Sequence, residues 1–358
     1  MPKLQILGLG QANLWFRNGI TDMLFGLLSY ELLATAATIV LLYFYLFFSR
    51  KWHWFDPPTE ARKLHNRPKP TSAGLVFMLP LVLMLFLLPA FSYPFKYTVA
   101  LCLLSLIIIG GIDDFRHISA KFRLVFLFVV SLVVILSFFS SVTTAIFWLV
   151  IYLIGMVWWI NLYNFMDGAD GMAILHGIIT AIGYLLAYYL FGNGVLMLLP
   201  YVFLFILLML AFLLFNFPHA KMFMGDSGSL SIGFMLAVFA LYGIKTQSFD
   251  VILVLSFHLL FIIDASLTLF LRLKFKHKIT QAHALHLYQC HIKDGFQHWQ
   301  ISLIYAIITA FLVVLALLFS YLSLSLPLRG LILLCESAVL SYLWFNFHKK
   351  KQFAAFIL

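Results

Sequence analysis

The amino-acid sequence predicts an all-α, polytopic integral membrane protein with about eleven transmembrane helices. Its 358 residues are 64% hydrophobic and only 10% charged, whereas charged side chains make up about a quarter of a typical soluble domain. The mean hydropathy is +1.03. The interior of a soluble fold cannot bury so much apolar surface, so we expect the lipid bilayer to cover most of it.

Apolar runs recur along the whole chain, at lengths close to the roughly 20 residues that a helix needs to cross a bilayer. They are Leu24–Phe48, Ala73–Phe91, Phe95–Gly111, Phe122–Phe139, Ala145–Leu162, Met172–Phe191, Val195–Phe215, Ser229–Ile244, Val251–Leu271, Ile301–Tyr321 and Leu331–Phe347. The segment Met1–Met23 is too polar for the apolar stretch of a signal peptide, and we expect it to lie at the membrane surface. Residues 1–358 are expected to form a single integral membrane domain.

The distribution of basic residues predicts the orientation of these helices. If the loops alternate between the two sides of the membrane, 18 of the 23 Lys and Arg residues fall on one side. The other side receives Lys3, Arg17, Lys96, Lys245 and Arg329. The positive-inside rule makes the first side cytoplasmic, with a periplasmic N-terminus and a cytoplasmic C-terminus. The net charge of +10 thus encodes topology, and we expect no nucleic-acid partner.

Carboxylates gather on the same predicted cytoplasmic face. They occur as the pair Asp113-Asp114, as Asp167 and Asp170 in one Gly-containing segment, and as Asp226 in another. Neighbouring carboxylates repel one another, so a cation or a proton must offset their charge. Hard oxygen ligands favour Mg²⁺, with Mn²⁺ as the alternative, and Mg²⁺ usually binds together with substrate phosphates. Lys121 and Arg123 follow Asp113-Asp114 in the same loop and are suited to bind phosphate.

One of these segments also has a helical periodicity. Asn161, Asn164 and Asp167 recur at intervals of three, which places them on one side of the last turns of a helix, directed at the same pocket. A turn that joins two helices would explain the Gly, Asn and Asp content of this segment. It would not explain the spacing.

Three motifs resemble one known family. They are Gly111-Ile-Asp113-Asp114 followed by Ser119 and Lys121, then Asn161-Leu-Tyr-Asn164-Phe-Met-Asp167-Gly-Ala-Asp170-Gly171, then Phe215-Asn216-Phe-Pro-His-Ala-Lys221-Met-Phe223-Met-Gly225-Asp226-Ser-Gly228. Together they resemble the polyprenyl-phosphate N-acetylhexosaminyl-1-phosphate transferases, which include the muramoyl-pentapeptide enzyme of cell-wall synthesis and the initiators of O-antigen synthesis. The motifs occur in the family's order.

The resemblance implies a function and a set of partners. A Mg²⁺-dependent enzyme of the bacterial inner membrane would transfer N-acetylhexosamine 1-phosphate from a UDP-sugar to undecaprenyl phosphate at the cytoplasmic face and release UMP. A homodimer is one option for its assembly, and membrane lipid surrounds it. Both direct attack by the lipid phosphate and an aspartyl-phosphate intermediate are compatible with the motifs.

The resemblance also implies residue roles. Asp113 or Asp114 would deprotonate or position the lipid phosphate, and Lys121 would neutralise a phosphate. Asn164 and Asp167 would bind the nucleotide sugar or its metal, beside Asn161 and Asp170, and Asp226 would bind Mg²⁺. Phe223 would stack on uracil and Asn216 would bind the nucleotide. Lys69 and Thr71 are candidates from the loop that precedes the second apolar run.

A fourth motif, Ala282-His283-Ala-Leu-His286-Leu-Tyr288-Gln289, resembles the His-x-x-His-x-Tyr-Gln element of the WbpL-like O-antigen initiators. The muramoyl-pentapeptide enzyme carries a run of adjacent histidines instead. Two histidines at this spacing could bind zinc, but neither a cysteine nor a third suitable ligand completes a tetrahedral site. We therefore expect His283 and His286 to contact the pyrophosphate.

Three further polar residues lie within predicted membrane helices. His176 and His258 are expected to be satisfied by helix packing. Asp264 is expected to be functional or paired, because an intramembrane carboxylate is costly, and Arg272 or the rim of the site could hold it.

One alternative from another functional class is an ion-coupled transporter that binds its ion at the carboxylates. Such sites usually lie near the membrane midplane between inverted repeats. Here the acids are at helix ends and no repeat is visible in the sequence.

Overall fold

A computed structural model describes residues 5–52, 54–56, 68–87, 95–116, 118–139, 146–192, 198–278 and 283–349, with side chains described between 28 and 347 except at 52. Within these ranges the protein is all-α apart from one pair of two-residue strands. The predicted fold class is therefore confirmed. The first four residues of the predicted surface segment Met1–Met23 and the last four of the apolar run Ala73–Phe91 lie outside the described residues.

The secondary-structure elements follow the apolar runs closely. The strands are β1 (Phe55–Asp56) and β2 (Lys69–Pro70). The helices are α1 (Gln5–Trp52), α2 (Gly74–Phe77), α3 (Leu79–Leu87), α4 (Phe95–Phe115), α5 (Ala120–Phe139), α6 (Ile146–Phe165), α7 (Met172–Phe191), α8 (Leu199–Asn216), α9 (Gly225–Lys245), α10 (Val251–Lys274), α11 (Leu287–Lys293), α12 (His298–Tyr321) and α13 (Leu326–Lys349).

In the described part of the chain, ten helices are long and apolar enough to cross a membrane, where the sequence predicts about eleven spans of this kind. The difference arises in the second apolar run, which forms the short helices α2 and α3 with a break at Met78. Pro80 explains the break, because proline lacks the N–H that would bond the carbonyl one turn earlier and its ring clashes with that carbonyl.

Helix α9 is the centre of the bundle and packs against α4, α6 and α7. All of its side chains from Ser227 to Gly243 are buried. Small residues allow this central position, since a Cβ at Gly110 of α4 or at Gly74 of α2 would collide with the backbone of α9 at Ser227 and Gly228. Close backbone approach at small residues is a principal way in which helices associate in lipid.

The buried interior contains a chain of hydrogen-bonded polar groups. His176 Nε2 lies 3.1 Å from His258 Nδ1, and Tyr184 Oη lies 2.9 Å from His258 Nε2. The other ring nitrogen of His176 lies 3.3 Å from Thr309 Oγ1. These bonds join α7, α10 and α12, and they confirm the prediction that both histidines are satisfied by helix packing.

The loop between β2 and α2 is fixed to the start of α9 by backbone hydrogen bonds. Phe223 N donates to Pro70 O at 2.7 Å, Ala73 N donates to Phe223 O at 3.2 Å, and Gly74 N donates to Met224 O at 3.0 Å. Residues Lys69 to Ser72 therefore lie beside the N-terminus of α9. We call this end of the bundle, where α4 and α6 end and α5, α7 and α9 begin, the site end, and the opposite end the far end.

Candidate active site

Asp114 connects three elements at the site end. Its Oδ2 accepts a hydrogen bond from Ser72 Oγ at 2.7 Å, and its Oδ1 accepts one from the backbone N–H of Asp226 at 2.7 Å. Asp114 thus caps the N-terminus of α9, where an acceptor for free N–H groups and a negative charge are both favourable. Gly225 allows this approach, because it has φ +68° and a Cβ there would overlap the Asp114 carboxylate.

Asp113 faces a cation instead of the α9 backbone. Its Oδ1 accepts from Ile118 N at 2.6 Å, and its Oδ2 lies 3.4 Å from Arg123 Nη1. The same guanidinium nitrogen donates to Asp226 Oδ2 at 3.0 Å. Arg123 therefore bridges the two carboxylates from the first turn of α5. The structure divides the two adjacent acids into one that caps a helix and one that faces an ion pair.

Asn164 completes the contacts of Asp226. Its Nδ2 donates to Asp226 Oδ1 at 2.9 Å and to Ser229 Oγ at 2.8 Å. Asn161 is partly exposed one turn earlier on α6, and it makes no hydrogen bond to these groups among the described residues. Of the residues predicted to point into one pocket, Asn164 is thus the one that contacts Asp226.

Asp167 follows the end of α6 and retains some solvent access. Partial burial nevertheless raises the pKa of its carboxyl well above the usual range, and the charges of Asp226, Asp114 and Asp170 raise it further. A carboxyl in such surroundings binds a proton or a cation in order to lower the local negative charge. The contacts of Asp226 with Asp114 and, through Arg123, with Asp113 place these acids together, as the sequence predicts.

Asp170 forms a second ion pair beside the first. Its carboxylate lies 3.2 Å from Lys69 Nζ and 3.6 Å from His298 Nδ1, and it accepts from Ala220 N at 2.9 Å. Lys69 Nζ also lies 4.9 Å from the centre of the partly exposed Phe223 ring. Lys69, Asp170 and Phe223 are therefore neighbours, as a shared nucleotide-binding role would require.

Three other residues predicted for the site occupy positions different from those of Lys69, Asp170 and Phe223. They are Thr71, Asn216 and Lys121. Thr71 is buried, and its backbone carbonyl accepts from Tyr45 Oη. Asn216 is buried and uses both ends of its amide within the protein: Oδ1 accepts from Gly171 N at 2.9 Å, and Nδ2 donates to Met222 O at 3.0 Å. Lys121 is exposed at the start of α5. The binding roles of these three residues remain predictions.

His283 and His286 lie next to the end of α6. Their ring centres are 4.9 Å apart, and the His286 ring stacks on Phe165 at 6.2 Å. Tyr288 Oη donates to Phe165 O at 3.0 Å. Gly168 leaves room for this tyrosine, because a Cβ at that position would overlap its hydroxyl. Phe165 lies between Asn164 and Asp167 in the sequence. Its contacts with His286 and Tyr288 therefore bring the histidine segment close to both residues.

The surroundings of His283 are positively charged. Burial, together with the charges of His286, Arg272, Lys293 and His277, lowers the pKa of its imidazole to about 2. Its Nδ1 is buried without a hydrogen-bond partner among the described residues. A neutral donor or acceptor inside a basic surrounding suits an anionic group such as phosphate.

The oxygen atoms that the site offers as metal ligands fit a hard divalent cation together with a phosphate. Asp226 and Asp167 supply carboxylate oxygens close to other acids, and Mg²⁺ typically takes one or two carboxylates and fills its remaining positions with water and substrate phosphate. In the described part of the chain, no group of three or more His, Cys, Asp or Glu side chains is placed to hold a metal ion. The same finding gives no support to zinc at His283 and His286.

Sequence reasoning missed three contributors to the site. Arg123 was expected only to bind phosphate, yet it joins Asp113 to Asp226, and its place two residues after Lys121 gave no sign of this. Ser72 was not predicted, and neither its sequence neighbours nor its residue type reveals a bond to Asp114. His298, which the sequence does not single out, accepts a hydrogen bond at Nδ1 from Asp170 N at 3.3 Å.

Comparison with known proteins agrees with this geometry. Residues 97–244 match the family model described as glycosyl transferase family 4. The phospho-N-acetylmuramoyl-pentapeptide-transferase of Streptococcus pneumoniae strain CGSP14 is 32% identical over 197 residues, which are 48% of this chain and 59% of that protein. The protein of the same name from strain Taiwan19F-14 is 31% identical over 193 residues, with the same shares.

The chain spans 59% of the length of these curated relatives. The family match includes Asp113, Asp114, Asn164, Asp167 and Asp226, whereas Lys69, Thr71, His283 and His286 lie outside it. The hydrogen-bonded group around Asp226, which includes Asp114, Arg123 and Asn164, thus lies inside the matched region. Residues 97–244 of this chain are thus similar to glycosyl transferase family 4.

Proposed function

We propose that the protein transfers N-acetylhexosamine 1-phosphate from a UDP-sugar to undecaprenyl phosphate, giving undecaprenyl-diphospho-sugar and UMP. The observation that carries this proposal is the convergence of Asp113, Asp114 and Asp226 with Arg123 at one end of a membrane bundle. Acidic groups for a metal and basic groups for phosphate meet there at the level where a lipid headgroup and a water-soluble nucleotide can both reach them.

The reaction is a phosphoryl transfer. A lipid phosphate oxygen attacks the β-phosphorus of the UDP-sugar, a new P–O bond forms, and the bond from the β-phosphorus to the bridging oxygen breaks. That oxygen leaves with UMP. In such reactions the protein contributes mainly through positioning and charge neutralisation.

The two adjacent acids have different parts in this reaction. Asp114 is held by Ser72 Oγ and by the Asp226 backbone, so it fixes the geometry of the site. Asp113 has one oxygen at the longer distance of 3.4 Å from Arg123, which substrate can replace. We assign Asp113 to the lipid phosphate, where it accepts the proton that this group carries in its monoanionic form.

Asp226 and Asp167 would hold Mg²⁺, and the bound ion would neutralise charge on the pyrophosphate as the bond breaks. Arg123 and Lys121 provide positive charge on the lipid-phosphate side. Phe223 and Lys69 would bind the uridine, and the basic surroundings of His283 and His286 would bind the phosphate of the donor. The neutral His283 imidazole retains one N–H, which can donate to a phosphate oxygen.

The place of the reaction follows from the topology prediction. In the predicted topology, 18 of the 23 basic residues lie on the side of the site end. By the positive-inside rule, this side would be the cytoplasmic face of a bacterial inner membrane, with a periplasmic N-terminus and a cytoplasmic C-terminus. Nucleotide sugars are available on that face. We further propose that the reaction initiates O-antigen or lipopolysaccharide synthesis, because the motif from His283 to Gln289 resembles that branch.

A second donor is favoured by the comparisons. The relatives bear the name phospho-N-acetylmuramoyl-pentapeptide-transferase, which points to UDP-N-acetylmuramoyl-pentapeptide as donor and to peptidoglycan as the pathway. The two candidates share the chemistry at the β-phosphorus. They differ in the group that the site must accept beyond the sugar ring.

One experiment can test both types of sugar donor. The purified chain is incubated with undecaprenyl phosphate, Mg²⁺ and, separately, the UDP derivatives of GlcNAc, GalNAc, QuiNAc, FucNAc and N-acetylmuramoyl-pentapeptide, and UMP release is measured. Release with one of the first four supports the O-antigen-type assignment, and release with the pentapeptide donor alone moves the protein to peptidoglycan synthesis. Absence of UMP with all five would contradict the proposed function and leave the transporter as the rival.

A further inference from the structure

Asp264 is a carboxylate buried inside the bundle. It lies in α10, ten residues before the helix ends at Lys274, and only 1% of its surface is exposed. A charged group at this depth is costly unless several donors surround it. The sequence suggested Arg272 as its partner, but Arg272 Nη2 donates to Lys278 O at 2.7 Å, and Asp264 makes other bonds.

Five hydrogen bonds from four helices converge on Asp264. Its Oδ1 accepts from Leu287 N at 2.8 Å, Trp344 Nε1 at 3.0 Å and Thr268 Oγ1 at 3.4 Å, and its Oδ2 accepts from Tyr305 Oη at 2.8 Å and Tyr288 N at 3.4 Å. A carboxylate has about four lone-pair sites on its two oxygens. All of these partners are donors, so both oxygens of Asp264 act as acceptors.

Two of the five donors are the first backbone N–H groups of α11, those of Leu287 and Tyr288. Asp264 therefore holds the start of this short helix inside the bundle. His286 directly precedes it, with its ring on Phe165, and Tyr288 donates its hydroxyl to Phe165 O. Phe165 ends α6, one residue after Asn164. An unbroken set of contacts thus leads from Asp264 to the carboxylate site.

We propose that Asp264 is a positioning residue, which holds the segment from His283 to Tyr288 against the end of α6 so that its histidines face the donor phosphate. This inference rests on the proposed function for the identity of the substrate. The role of Asp264 is indirect, because its oxygens bond only to protein groups. Its loss should therefore weaken the binding of the UDP-sugar more than that of the lipid phosphate.

The variant Asp264→Asn makes a graded test because its amide can accept on one side only. If the nitrogen faces Tyr305, that hydroxyl can turn and accept from it, but Tyr288 N–H loses its acceptor. One of the two anchors of α11 is then released while the side-chain volume is kept. Tyr305→Phe removes a single donor and leaves the carboxylate intact, so it provides a milder second variant.

Two readouts separate positioning from general damage. The first is the rate at which a thiol reagent modifies Cys290, which is buried in α11, in protein that carries Cys335→Ser to remove the exposed thiol. The second is KM for the UDP-sugar and for undecaprenyl phosphate. In Asp264→Asn we expect Cys290 to react about tenfold faster and KM for the UDP-sugar to rise about tenfold, equivalent to about 1.4 kcal/mol. KM for the lipid should stay within about twofold.

Asp250→Asn is the matched control. Asp250 caps the opposite end of α10 through Ile252 N and Leu253 N, and it pairs with Arg329 at 2.6 Å. This variant should change neither readout. Unchanged Cys290 reactivity in both Asp264→Asn and Tyr305→Phe would overturn the inference, as would faster labelling without a change in KM for the UDP-sugar. If wild-type protein turns over no UDP-sugar, the proposed function fails, and Cys290 labelling alone decides whether Asp264 holds α11.

Discussion

Arg123 Nη1 lies 3.0 Å from Asp226 Oδ2 and 3.4 Å from Asp113 Oδ2, and it thereby joins the start of α9 to the end of α4. All three side chains are mostly buried, with 22%, 27% and 9% of the side chain exposed for Arg123, Asp226 and Asp113. The pairs are therefore less screened than surface ion pairs. The guanidinium occupies the region in which the proposed phosphates and metal would meet.

Replacing Arg123 with Gln should leave the protein folded and lower kcat by about a hundredfold, or about 2.7 kcal/mol. The variant loses the cation that joins Asp113 to Asp226 and that would bind the lipid phosphate. Arg116→Gln changes an exposed arginine in the same loop and should have little effect. Equal activity of the two variants would remove Arg123 from the site.

Ser72 offers a test of the cap on α9. Its hydroxyl bonds Asp114, and its backbone has φ +67°, a conformation that glycine adopts more readily than other residues. Ser72→Ala should lower kcat about tenfold through loss of one hydrogen bond to a carboxylate. Ser72→Gly should lower it by a similar factor although it relieves the backbone.

The glycine variant separates the two roles of Ser72. If the residue served only the turn, Ser72→Gly would be as active as wild type and more heat-stable, since glycine fits a positive φ without strain. Kinetics and thermal unfolding of both variants in detergent therefore suffice. Full activity in Ser72→Gly would show that Asp114 needs no hydroxyl to keep its position.

His283 predicts how the stability of the substrate-free protein depends on pH. Its folded pKa of about 2 lies far below the usual value near 6.5, so below pH 6.5 the unfolded chain binds a proton that the folded chain does not. The free energy of unfolding is therefore unaffected by this histidine above pH 6.5, and it declines as the pH falls below that value. At pH 5.5 the loss should be on the order of 1 kcal/mol.

Thermal unfolding at pH 7.5 and pH 5.5 measures this dependence, with His283→Gln as the comparison. The variant keeps a neutral hydrogen-bonding group but cannot titrate, so its unfolding temperature should fall less between the two pH values. The pKa of His291 is lowered in the same direction, and its contribution remains in both proteins. Identical pH dependence would mean that the pKa of His283 is not lowered in the folded state.

The orientation of the bundle can be measured in intact cells. Asp294 is exposed at the site end and Gln247 is exposed at the far end. A cysteine in place of Asp294 should resist a membrane-impermeant thiol reagent, whereas one in place of Gln247 should react. The reverse pattern would place the carboxylates outside, away from cytoplasmic nucleotide sugars.

Much of the architecture could be predicted from the sequence, because a span needs only length and apolarity. Ten long apolar helices appear where such runs were expected, and Pro80 accounts for the run that became α2 and α3. The gathering of Asp113, Asp114, Asp167 and Asp226 was also predictable, since alternation of the loops places them on one face.

The division of roles among these acids was not predictable. Asp113 and Asp114 are adjacent in the sequence, and only the packing of Gly225 and Ser72 around Asp114 shows which one caps α9. The partners of Asp264 come from Tyr288, Tyr305 and Trp344, whose distances along the chain carry no signal of the contact. Specific hydrogen bonds between distant elements depend on the tertiary packing, which a composition pattern does not encode.

Asp226 provides the negative control for the reaction itself. Asp226→Asn should remain folded, because an amide oxygen can still accept from Arg123 or Asn164. It should lose about a thousandfold in turnover if charge neutralisation through the metal supplies several kcal/mol. Near-normal turnover would remove Asp226 from the metal site.

The fate of the β-phosphate tests the central claim most directly. A UDP-sugar labelled with ³²P at the β-phosphorus is incubated with the purified protein, undecaprenyl phosphate and Mg²⁺, and the lipid and aqueous phases are counted. Transfer of a sugar 1-phosphate predicts that the label moves to the lipid and that unlabelled UMP is the only uridine nucleotide formed, with Asp226→Asn showing neither change. Label retained in UDP while unlabelled sugar reaches the lipid would contradict the account, because it would show sugar transfer without its phosphate.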